Sequence, residues 1–255
     1  VAFTFYIDPA KLVYVRRINI NGNTKTRDVV VRREFRQVEG GLVSTTKIKR
    51  SKERLAGLGY FEESNVDIVP VAGSSDQIDL EVNVKEKQTG NFTLGAGFGQ
   101  GQGMVLSGSV TQQNVFGSGN YLSLNVNTGK LNKTLSLSYV NPYYTIDGVS
   151  RGFDLYLKNV DPSNVGQGQY STSNLGAKVR YALPVNETDV VNIGLGVERS
   201  SWTLFDGSPT RYKDFVHDYG DKNTQLLATV GWQRDRRDAA GGASGRGGRQ
   251  YLRLW

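Results

Sequence analysis

The sequence predicts an α+β module of the pattern β-α-α-β-β, followed by antiparallel transmembrane β-barrel strands, about eight in number. Two observations lead to this prediction. Charged residues are dense in the first 88 residues, whereas residues 89–233 are rich in Gly, Ser, Asn, Thr and aromatic residues. From residue 91 onward, apolar residues alternate with small or polar ones over segments of about ten residues, the length of a transmembrane strand. We therefore place a domain boundary near residues 88–90.

The composition argues against cofactor chemistry. The chain has no Cys, which excludes disulfides and thiolate metal sites. The single histidine, His217, lies in a polar stretch without a recognisable carboxylate pair beside it, so we interpret it as a solvated loop side chain. We expect no enzymatic activity, no cofactor, no metal and no nucleic-acid partner. The one RGG-like tract, at residues 246–249, is a single copy and is weak evidence for RNA binding.

The formal charge of +7 is unevenly spread. Residues 11–59 carry 13 basic and 4 acidic residues. This balance fits either solvated helix faces or an acidic partner or lipid headgroup nearby. The chain opens on Val1, and we expect it to be a piece of a longer protein from which any signal peptide is absent.

The first module can be assigned element by element. Residues 14–20 alternate as a strand, and Asn21-Gly22 turns the chain. Thr26 is the predicted N-cap of a first helix that ends at Gly40-Gly41. Its predicted apolar face consists of Val30, Val31, Phe35 and Val38.

A second helix is predicted to begin after Ser44, as its N-cap, and to stop at Gly57-Leu58-Gly59. Its apolar face holds Ile48, Leu55 and Leu58, with Ser51 between them. Two strands complete the module. One begins at Phe61, and the other alternates Ile78, Leu80, Val82 and Val84 with polar neighbours.

The second part of the chain is dominated by period-two alternation, with some full charges on the polar side. Alternation alone fits both a soluble β-sandwich and a membrane barrel. Three features favour the barrel: the segment length, the mixture of short and long connections, and aromatic residues at segment ends. The predicted interfacial aromatic residues are Tyr139, Tyr143, Tyr144, Tyr181 and Trp232. The alternating segments are centred on residues 92–98, 122–126, 135–139, 153–157, 175–181 and 191–197.

Three ordered motifs in the first module resemble a POTRA module, the polypeptide-transport-associated repeat. They are Val15-Arg16-Arg17-Ile18-Asn19-Ile20-Asn21-Gly22-Asn23-Thr24, Arg32-Arg33-Glu34-Phe35-Arg36-Gln37-Val38-Glu39-Gly40 and Lys52-Glu53-Arg54-Leu55-Ala56-Gly57-Leu58-Gly59-Tyr60-Phe61-Glu62. The resemblance implies that residues 10–88 are the last POTRA domain of a series and that residues 1–9 end the preceding one.

The resemblance continues into the second part. Residues 92–99, 113–119 and 141–150, together with Gly231-Trp232, are similar to the first half of the barrel in a family that joins POTRA modules to a surface-antigen-type β-barrel. It implies that residues 89–255 form about eight of the sixteen strands of such a barrel. Residues 239–248 depart from the family pattern, so residues 239–255 are an atypical end, and whether 249–255 form a strand stays open.

The segment Gly95 to Gly103 is not a phosphate-binding loop, because its glycines fall at every second residue and a strand follows it. Glycine on alternate strand positions weakens a strand. In the family, this first strand forms a lateral gate and pairs with the terminal strand of a client protein. The resemblance assigns this role to Asn91, Phe92, Thr93, Leu94, Gly95, Ala96, Gly97 and Phe98.

A second site is implied on the first predicted helix. Its plain interpretation is a charged, solvated helix face. In the family, the matching region docks the essential lipoprotein BamD, which assigns partner contacts to Arg32, Arg33, Arg36 and Glu39.

The resemblance implies a non-enzymatic function in which POTRA modules deliver unfolded proteins to a barrel whose weak seam templates their first strand pairing. The implied partners are BamD and other Bam lipoproteins, unfolded outer-membrane protein clients, outer-membrane lipid and periplasmic chaperones. The implied location is the bacterial outer membrane, with the POTRA part in the periplasm. The alternatives are a POTRA-containing translocase of the two-partner secretion or autotransporter-assembly type, and a soluble β-sandwich binding module.

Overall fold

The computed structural model describes residues 12–99, 103–162, 170–186, 188–235 and 249–254. The chain forms two compact units that divide between Thr89 and Gly90, with Phe116–Ser118 grouped with the first. Among the described residues, no helix is both long and apolar enough to cross a membrane. The predicted strand at residues 1–9 and the atypical segment 239–248 lie outside the described residues.

The first unit has the predicted β-α-α-β-β order. Its elements are β1 (Tyr14–Asn21), α1 (Asp28–Arg32), α2 (Thr45–Gly57), β2 (Phe61–Pro70) and β3 (Gln77–Glu86). The sheet order is β1-β3-β2, with β3 parallel to β1 and antiparallel to β2. Parallel pairing of β1 and β3 requires a crossover connection, which the intervening segment with its two helices and β2 supplies.

The core of this unit is formed where α1 and α2 meet one face of the sheet. Val15, Leu55, Leu80 and Val82 are fully buried, because apolar residues on alternate strand positions and on one helix face converge there. Ser44 caps α2 by accepting a hydrogen bond from the Lys47 amide at 3.4 Å, as predicted. Of the residues predicted for the apolar faces of α2 and β3, Ile48, Leu55, Ile78, Leu80, Val82 and Val84 are buried, and Leu58 is partly buried against the same core. Ser51, predicted to lie between them, is also buried.

The prediction for the first helix is wrong in three respects. The helix is only five residues long, and its N-cap position is Arg27 instead of Thr26. The Thr26 amide donates to Glu86 Oε1 at 2.6 Å. Thr26 is therefore bound by a carboxylate of β3 and does not cap the helix. Val38 lies beyond the helix and is 60% exposed, so it does not belong to the apolar face.

The second unit is one nine-stranded antiparallel sheet in which each strand pairs with its neighbour along the chain, in the order β12 to β4. This arrangement confirms the predicted class of fold, and the sheet is open. Residues 249–254, which the sequence left open, form β12. The strands are β4 (Gly90–Gly99), β5 (Gly103–Gln112), β6 (Tyr121–Thr128), β7 (Asn132–Asn141), β8 (Ser150–Val160), β9 (Tyr170–Pro184), β10 (Asp189–Leu204), β11 (Lys222–Arg234) and β12 (Arg249–Leu254).

The sheet has one apolar face and one polar face. Leu94, Leu155, Leu195 and Leu226 on the apolar face are each more than half exposed. A soluble sandwich would bury this face against a second sheet, but the described strands of this unit form a single layer. An apolar face left exposed in this way is the pattern of a strand wall that faces lipid.

Connection lengths differ between the two ends of the sheet. The connection between β9 and β10 spans residues 185–188, whereas that between β10 and β11 spans 205–221. The long connection, which the sequence analysis treated as a loop, contains the helix α3 (Thr210–Tyr219). Rings of α3 pack against strand residues, with Tyr212 5.0 Å from Tyr170 between ring centroids. The local pattern does not predict this helix, because its rings pack against strand residues that are distant in the sequence.

Most of the predicted interfacial aromatic residues lie at the end of the sheet that carries the short connections. Tyr144 and Tyr181 form an edge-to-face pair with ring centroids 6.4 Å apart, and the Arg151 guanidinium lies 3.7 Å from the centroid of Tyr144. Trp232 is 47% exposed on the apolar face at the same end. Amphipathic rings in such a row suit the boundary between lipid and water.

Candidate functional site

Strand β4 lies at the edge of the nine-stranded sheet. Its neighbour among the described residues is β5, with which it pairs from Gly90↔Gln112 to Gly99↔Gly103. The opposite edge therefore presents backbone N–H and C=O groups that a further strand can bind. All the residues predicted for client pairing, Asn91 to Phe98, lie on this strand.

Side chains contribute little to holding β4 in place. Phe92, Leu94 and Phe98 are 65%, 71% and 85% exposed, so the strand makes few packing contacts. Four of its ten residues are glycines. A Cβ added at Gly97 would meet nothing within 4 Å, so close packing does not explain that glycine. Glycine raises the entropic cost of ordering a strand, so β4 is held mainly by its ten-pair backbone ladder with β5 and little by side chains.

By contrast, charged and aromatic side chains link strands β7 to β10 across the polar face. Ser138 donates to Asp154 Oδ1 at 2.7 Å, and Arg180 Nη2 donates to the same oxygen at 2.9 Å. These residues belong to three successive strands. A guanidinium that binds both a carboxylate and a hydroxyl in this way holds the three strands in register.

A second link crosses the same wall one row away. Tyr156 on β8 is opposite Gly176 on β9, which in turn is opposite Glu198 on β10. A Cβ at position 176 would collide with the Tyr156 ring. The ring therefore lies across the glycine, and its hydroxyl donates to the Glu198 carboxylate. Neither link was predicted from the sequence, because the register that aligns these residues is set by pairing between strands.

The predicted docking residues fall into two groups. Arg32 Nη1 and the Ile18 amide both donate to Glu39 Oε1, at 3.0 and 2.8 Å, and Arg32 Nε donates to Asp28 at 3.0 Å. Glu39 therefore ties the segment after α1 to strand β1. The structure brings Arg32 and Glu39 together at the surface, where their side chains are 43% and 47% exposed.

The other two predicted docking residues differ in exposure. The Arg33 side chain is only 15% exposed and lies 3.9 Å from Glu34, so most of it faces the interior of the unit. Arg36 is exposed, and its amide donates to Ser51 Oγ at 2.8 Å. The accessible surface is therefore formed by Arg32, Arg36 and Glu39.

Glu86, at the end of β3, fixes the segment that leads into α1. Its carboxylate accepts hydrogen bonds from the amides of Lys25 and Thr26 and from Thr24 Oγ1. Partial burial opposes ionisation, but the hydrogen bonds outweigh it and lower the pKa of Glu86 below its ordinary value of 4.5. An ionised Glu86 therefore holds Thr24, Lys25 and Thr26 in place at the entry to α1.

We expect Glu86→Gln to lower the free energy of unfolding of the POTRA-like unit by about 1–2 kcal/mol at pH 7, because charge-assisted hydrogen bonds become neutral ones. A carboxyl with a lowered folded pKa stabilises the fold above its unfolded pKa, and this contribution is lost as the pH falls through the folded value. The wild-type and variant unfolding curves, measured by urea titration, should therefore converge in acid. A difference that persists unchanged at pH 2 would contradict this assignment.

These features define a class of protein: a POTRA module joined to strands of a transmembrane barrel. Residues 13–87 match the family model described as surface antigen variable number repeat, the POTRA model, and residues 114–253 match the Omp85 superfamily domain. The chain belongs to the Omp85 superfamily.

Relatives and solved structures agree with this assignment. The chain is 42% identical over 250 residues to outer membrane protein assembly factor BamA of Neisseria meningitidis serogroup B, covering 94% of the chain and 31% of that protein. A crystal structure of BamA from Haemophilus ducreyi lacking POTRA domains 1–3 superposes with a TM-score of 0.73 at 30% identity, covering 91% of this chain and 46% of that one.

The likeness to CdiB from Acinetobacter baumannii is limited to the fold, with a TM-score of 0.55 at 16% identity over 87% of this chain and 42% of that one. The chain spans about a third of the length of the curated relatives it matches. The predicted location is confirmed by the BamA relatives, with the barrel strands in the outer membrane and the POTRA domain in the periplasm.

Proposed function

We propose that this chain takes part in the assembly of outer-membrane β-barrel proteins and that β4 is the strand on which a client pairs. The observation that carries the proposal is the position of β4 at the sheet edge, where it is glycine-rich and largely exposed. Such an edge gives up little side-chain packing when it separates from a neighbour, and the backbone groups on the side of β4 away from β5 can pair with an incoming strand.

The proposed process is non-enzymatic. Its driving free energy comes from the client, which buries apolar side chains in lipid and pairs its backbone groups on closing its own barrel. The partners in this proposal are unfolded outer-membrane proteins, the periplasmic chaperones that carry them, outer-membrane lipid, and BamD with other Bam lipoproteins. The POTRA unit supplies the periplasmic docking surface for that delivery.

The alternative, a two-partner secretion or autotransporter-assembly translocase, is less well supported. CdiB shares only the fold with this chain, at 16% identity, whereas two curated assembly factors named BamA are 42% and 33% identical to it. The Arg32-Arg33-Glu34 motif and the Asn141-Pro142-Tyr143 turn also resemble the assembly factors.

Cysteine crosslinking tests strand templating directly. Single cysteines at positions 92–98 of the full-length protein, with every cysteine outside this chain replaced by Ser, can be paired with cysteines in the terminal strand of a stalled client; the chain itself has none. We expect crosslinks along β4 and none at Leu135 or Leu137, which lie on a strand paired on both sides. Absence of crosslinks at every β4 position would overturn the templating proposal.

The docking proposal is tested by charge reversal at Arg36. We expect Arg36→Glu to weaken binding of BamD to the full-length protein about tenfold, because it replaces an attractive charge with a repulsive one at an exposed position. Lys49→Glu is the matched control, since Lys49 is exposed on α2 and outside the docking surface. Equal losses in the two variants, measured by surface plasmon resonance, would indicate a general charge effect and refute the docking surface.

A further inference from the structure

Arg151 is a charged residue on the apolar face of the barrel sheet. Along β8 it shares alternate positions with Phe153 and Leu155, both of which are exposed on that face. Its directly opposed neighbours are Asn141 on β7 and Tyr181 on β9. A cation on the lipid-facing side is costly at mid-depth but costs little at the interface with water. The depth of Arg151 therefore decides what it can bind.

Arg151 lies at the periplasmic boundary of the membrane. It is four residues from Leu155 at the middle of β8, which at about 3.3 Å per residue is about 13 Å along the strand. The apolar band of such barrels is about 25 Å tall, so Arg151 lies near its edge. The chain enters β4 from the POTRA unit at Gly90, and the turn between β7 and β8 is at that end of the antiparallel sheet. The headgroups at this depth are those of the periplasmic leaflet.

Two aromatic rings hold the Arg151 guanidinium. Its central carbon lies 3.7 Å from the centroid of the Tyr144 ring and 5.1 Å from that of the Phe153 ring. The Tyr144 ring in turn packs edge-to-face on Tyr181, with centroids 6.4 Å apart. Cation–π contacts hold a flat guanidinium against the ring faces and leave the N–H groups along its edge to bind an anion.

The charge of Arg151 has no protein counter-ion in the described part of the chain, where it forms no ion pair and its buried Nε has no hydrogen-bond partner. Arg234, on the same face at the same end, gives the contrast. Its guanidinium lies 5.0 Å from the Trp232 ring centroid, but its Nε and Nη2 donate to the Asp189 carboxylate at 2.7 and 3.1 Å. Arg151 is half-buried, so its other N–H groups remain accessible to an anion from outside the sheet.

Asn141 adds an oriented donor beside Arg151. Its Oδ1 accepts a hydrogen bond from the Tyr143 amide at 3.0 Å, and its Nδ2 has no partner among the described residues. The hydroxyls of Tyr144 and Tyr181 are further donors in the same row. A guanidinium, a carboxamide and two phenols together suit the several oxygens of a phosphate group.

We propose that Arg151 and its neighbours bind the phosphate group of a glycerophospholipid in the periplasmic leaflet. This lipid-phosphate site consists of Asn141, Tyr144, Arg151 and Tyr181. The exposed apolar residues on its mid-membrane side, such as Leu155, suit the acyl chains, while the phosphate lies at the boundary where the guanidinium is. Because the site carries one uncompensated positive charge, it favours an anionic headgroup such as phosphatidylglycerol. It is separate from β4 and does not depend on client pairing.

Photolabelling of the full-length protein in dodecyl maltoside micelles, which contain no phosphate, tests the site. The probe is a phosphatidylglycerol with a diazirine on an acyl carbon close to the glycerol, used below saturation, and labelling of residues 139–155 is quantified by mass spectrometry. The variant is Arg151→Gln. Lys158→Gln is the matched control, because Lys158 is an exposed cation of the same strand on the polar face. Each variant removes one positive charge from β8.

We expect Arg151→Gln to reduce this labelling about fivefold, since a cation beside a lipid phosphate contributes about that factor to the binding constant. Lys158→Gln should change it less than about 1.5-fold, because a distant charge is screened. Arg151→Lys keeps the charge but loses the flat fork of donors, so we expect a loss of about twofold. Equal labelling of the wild type and Arg151→Gln would overturn the proposal and assign Arg151 to an acidic segment of a protein partner.

Tyr144→Leu is a second variant, whose result does not depend on whether Arg151→Gln folds. It removes the stacked ring and leaves the charge in place, so we expect about threefold weaker labelling by phosphatidylglycerol. The folded state of each variant is checked by its heat-dependent gel mobility. Unchanged labelling of folded Tyr144→Leu would refute the stacked geometry of the site.

Two further probes identify the source of the phosphate. A diazirine diacylglycerol lacks the phosphate, and we expect Arg151→Gln to leave its labelling unchanged. An equal loss with this probe would show that Arg151 only shapes the apolar surface, which refutes a phosphate site. Inorganic phosphate, compared with NaCl at the same ionic strength, should not displace phosphatidylglycerol, because the acyl chains also hold the lipid. Displacement would indicate a site for free anions and refute the lipid assignment.

Discussion

Leu155→Arg is expected to lower the free energy of unfolding of the barrel unit in lipid vesicles by about 2–4 kcal/mol, because it places a charge at mid-depth on the lipid-facing side. Leu155 lies at the middle of β8, opposite Leu137 and Ala177, and is 53% exposed. A urea titration of full-length protein refolded into phospholipid vesicles, followed by tryptophan fluorescence, measures the loss.

Ser136→Arg is the matched control for Leu155→Arg. Ser136 is on the neighbouring strand at a similar depth but on the polar face, opposite Tyr156 and Asn125. A guanidinium there remains hydrated, so we expect a change below about 1 kcal/mol. Equal losses for the two variants would contradict the assignment of the faces, and with it the membrane orientation of the sheet.

Leu55→Ala is expected to lower the free energy of unfolding of the POTRA unit by about 2–5 kcal/mol, because it removes buried methyl groups and leaves a cavity. Leu55 is fully buried in the core cluster beneath the three-stranded sheet. Its loss would also disturb α2, whose apolar face it shares with Ile48. The transition of this unit in a urea titration followed by circular dichroism gives the value.

Val38→Ala provides the comparison for Leu55→Ala. Val38 is also an apolar residue of the predicted core, but it is 60% exposed. We expect its replacement to change the free energy of unfolding by less than about 0.5 kcal/mol. A loss as large as that of Leu55→Ala would mean that the segment after α1 packs differently from the structure.

The two units carry different parts of the proposed mechanism. In the POTRA unit, Glu86 and Glu39 use carboxylates to fix the segments on either side of α1, so the docking surface is rigid at its base. In the barrel unit, side-chain links are unevenly spread. Strand β4 is glycine-rich with exposed side chains, whereas hydrogen bonds from Arg180 and Tyr156 join strands β8 to β10. A strand acceptor needs both properties, because its edge must open while the sheet behind it keeps its register.

The sequence by itself determined the order of elements in the first unit, the burial of residues such as Leu80 and Val82, and the alternation that separates the two faces of the sheet. These features are local, since a period of two or 3.6 residues and a glycine-rich turn are encoded within a few positions. The candidate site at Asn91 to Phe98 came from the family resemblance of these residues, together with the glycines on alternate strand positions.

The tertiary structure alone decided the features that depend on partners far apart in the chain. Glu86 binds Thr26, the predicted helix cap, although the two residues are 60 positions apart in the sequence. Tyr156 donates a hydrogen bond to Glu198, which is 42 positions away. The packing of α3 against Tyr170 likewise follows from the path of the loop. Local periodicity specifies which face a side chain occupies, but the contact it makes there is fixed only when distant strands are aligned.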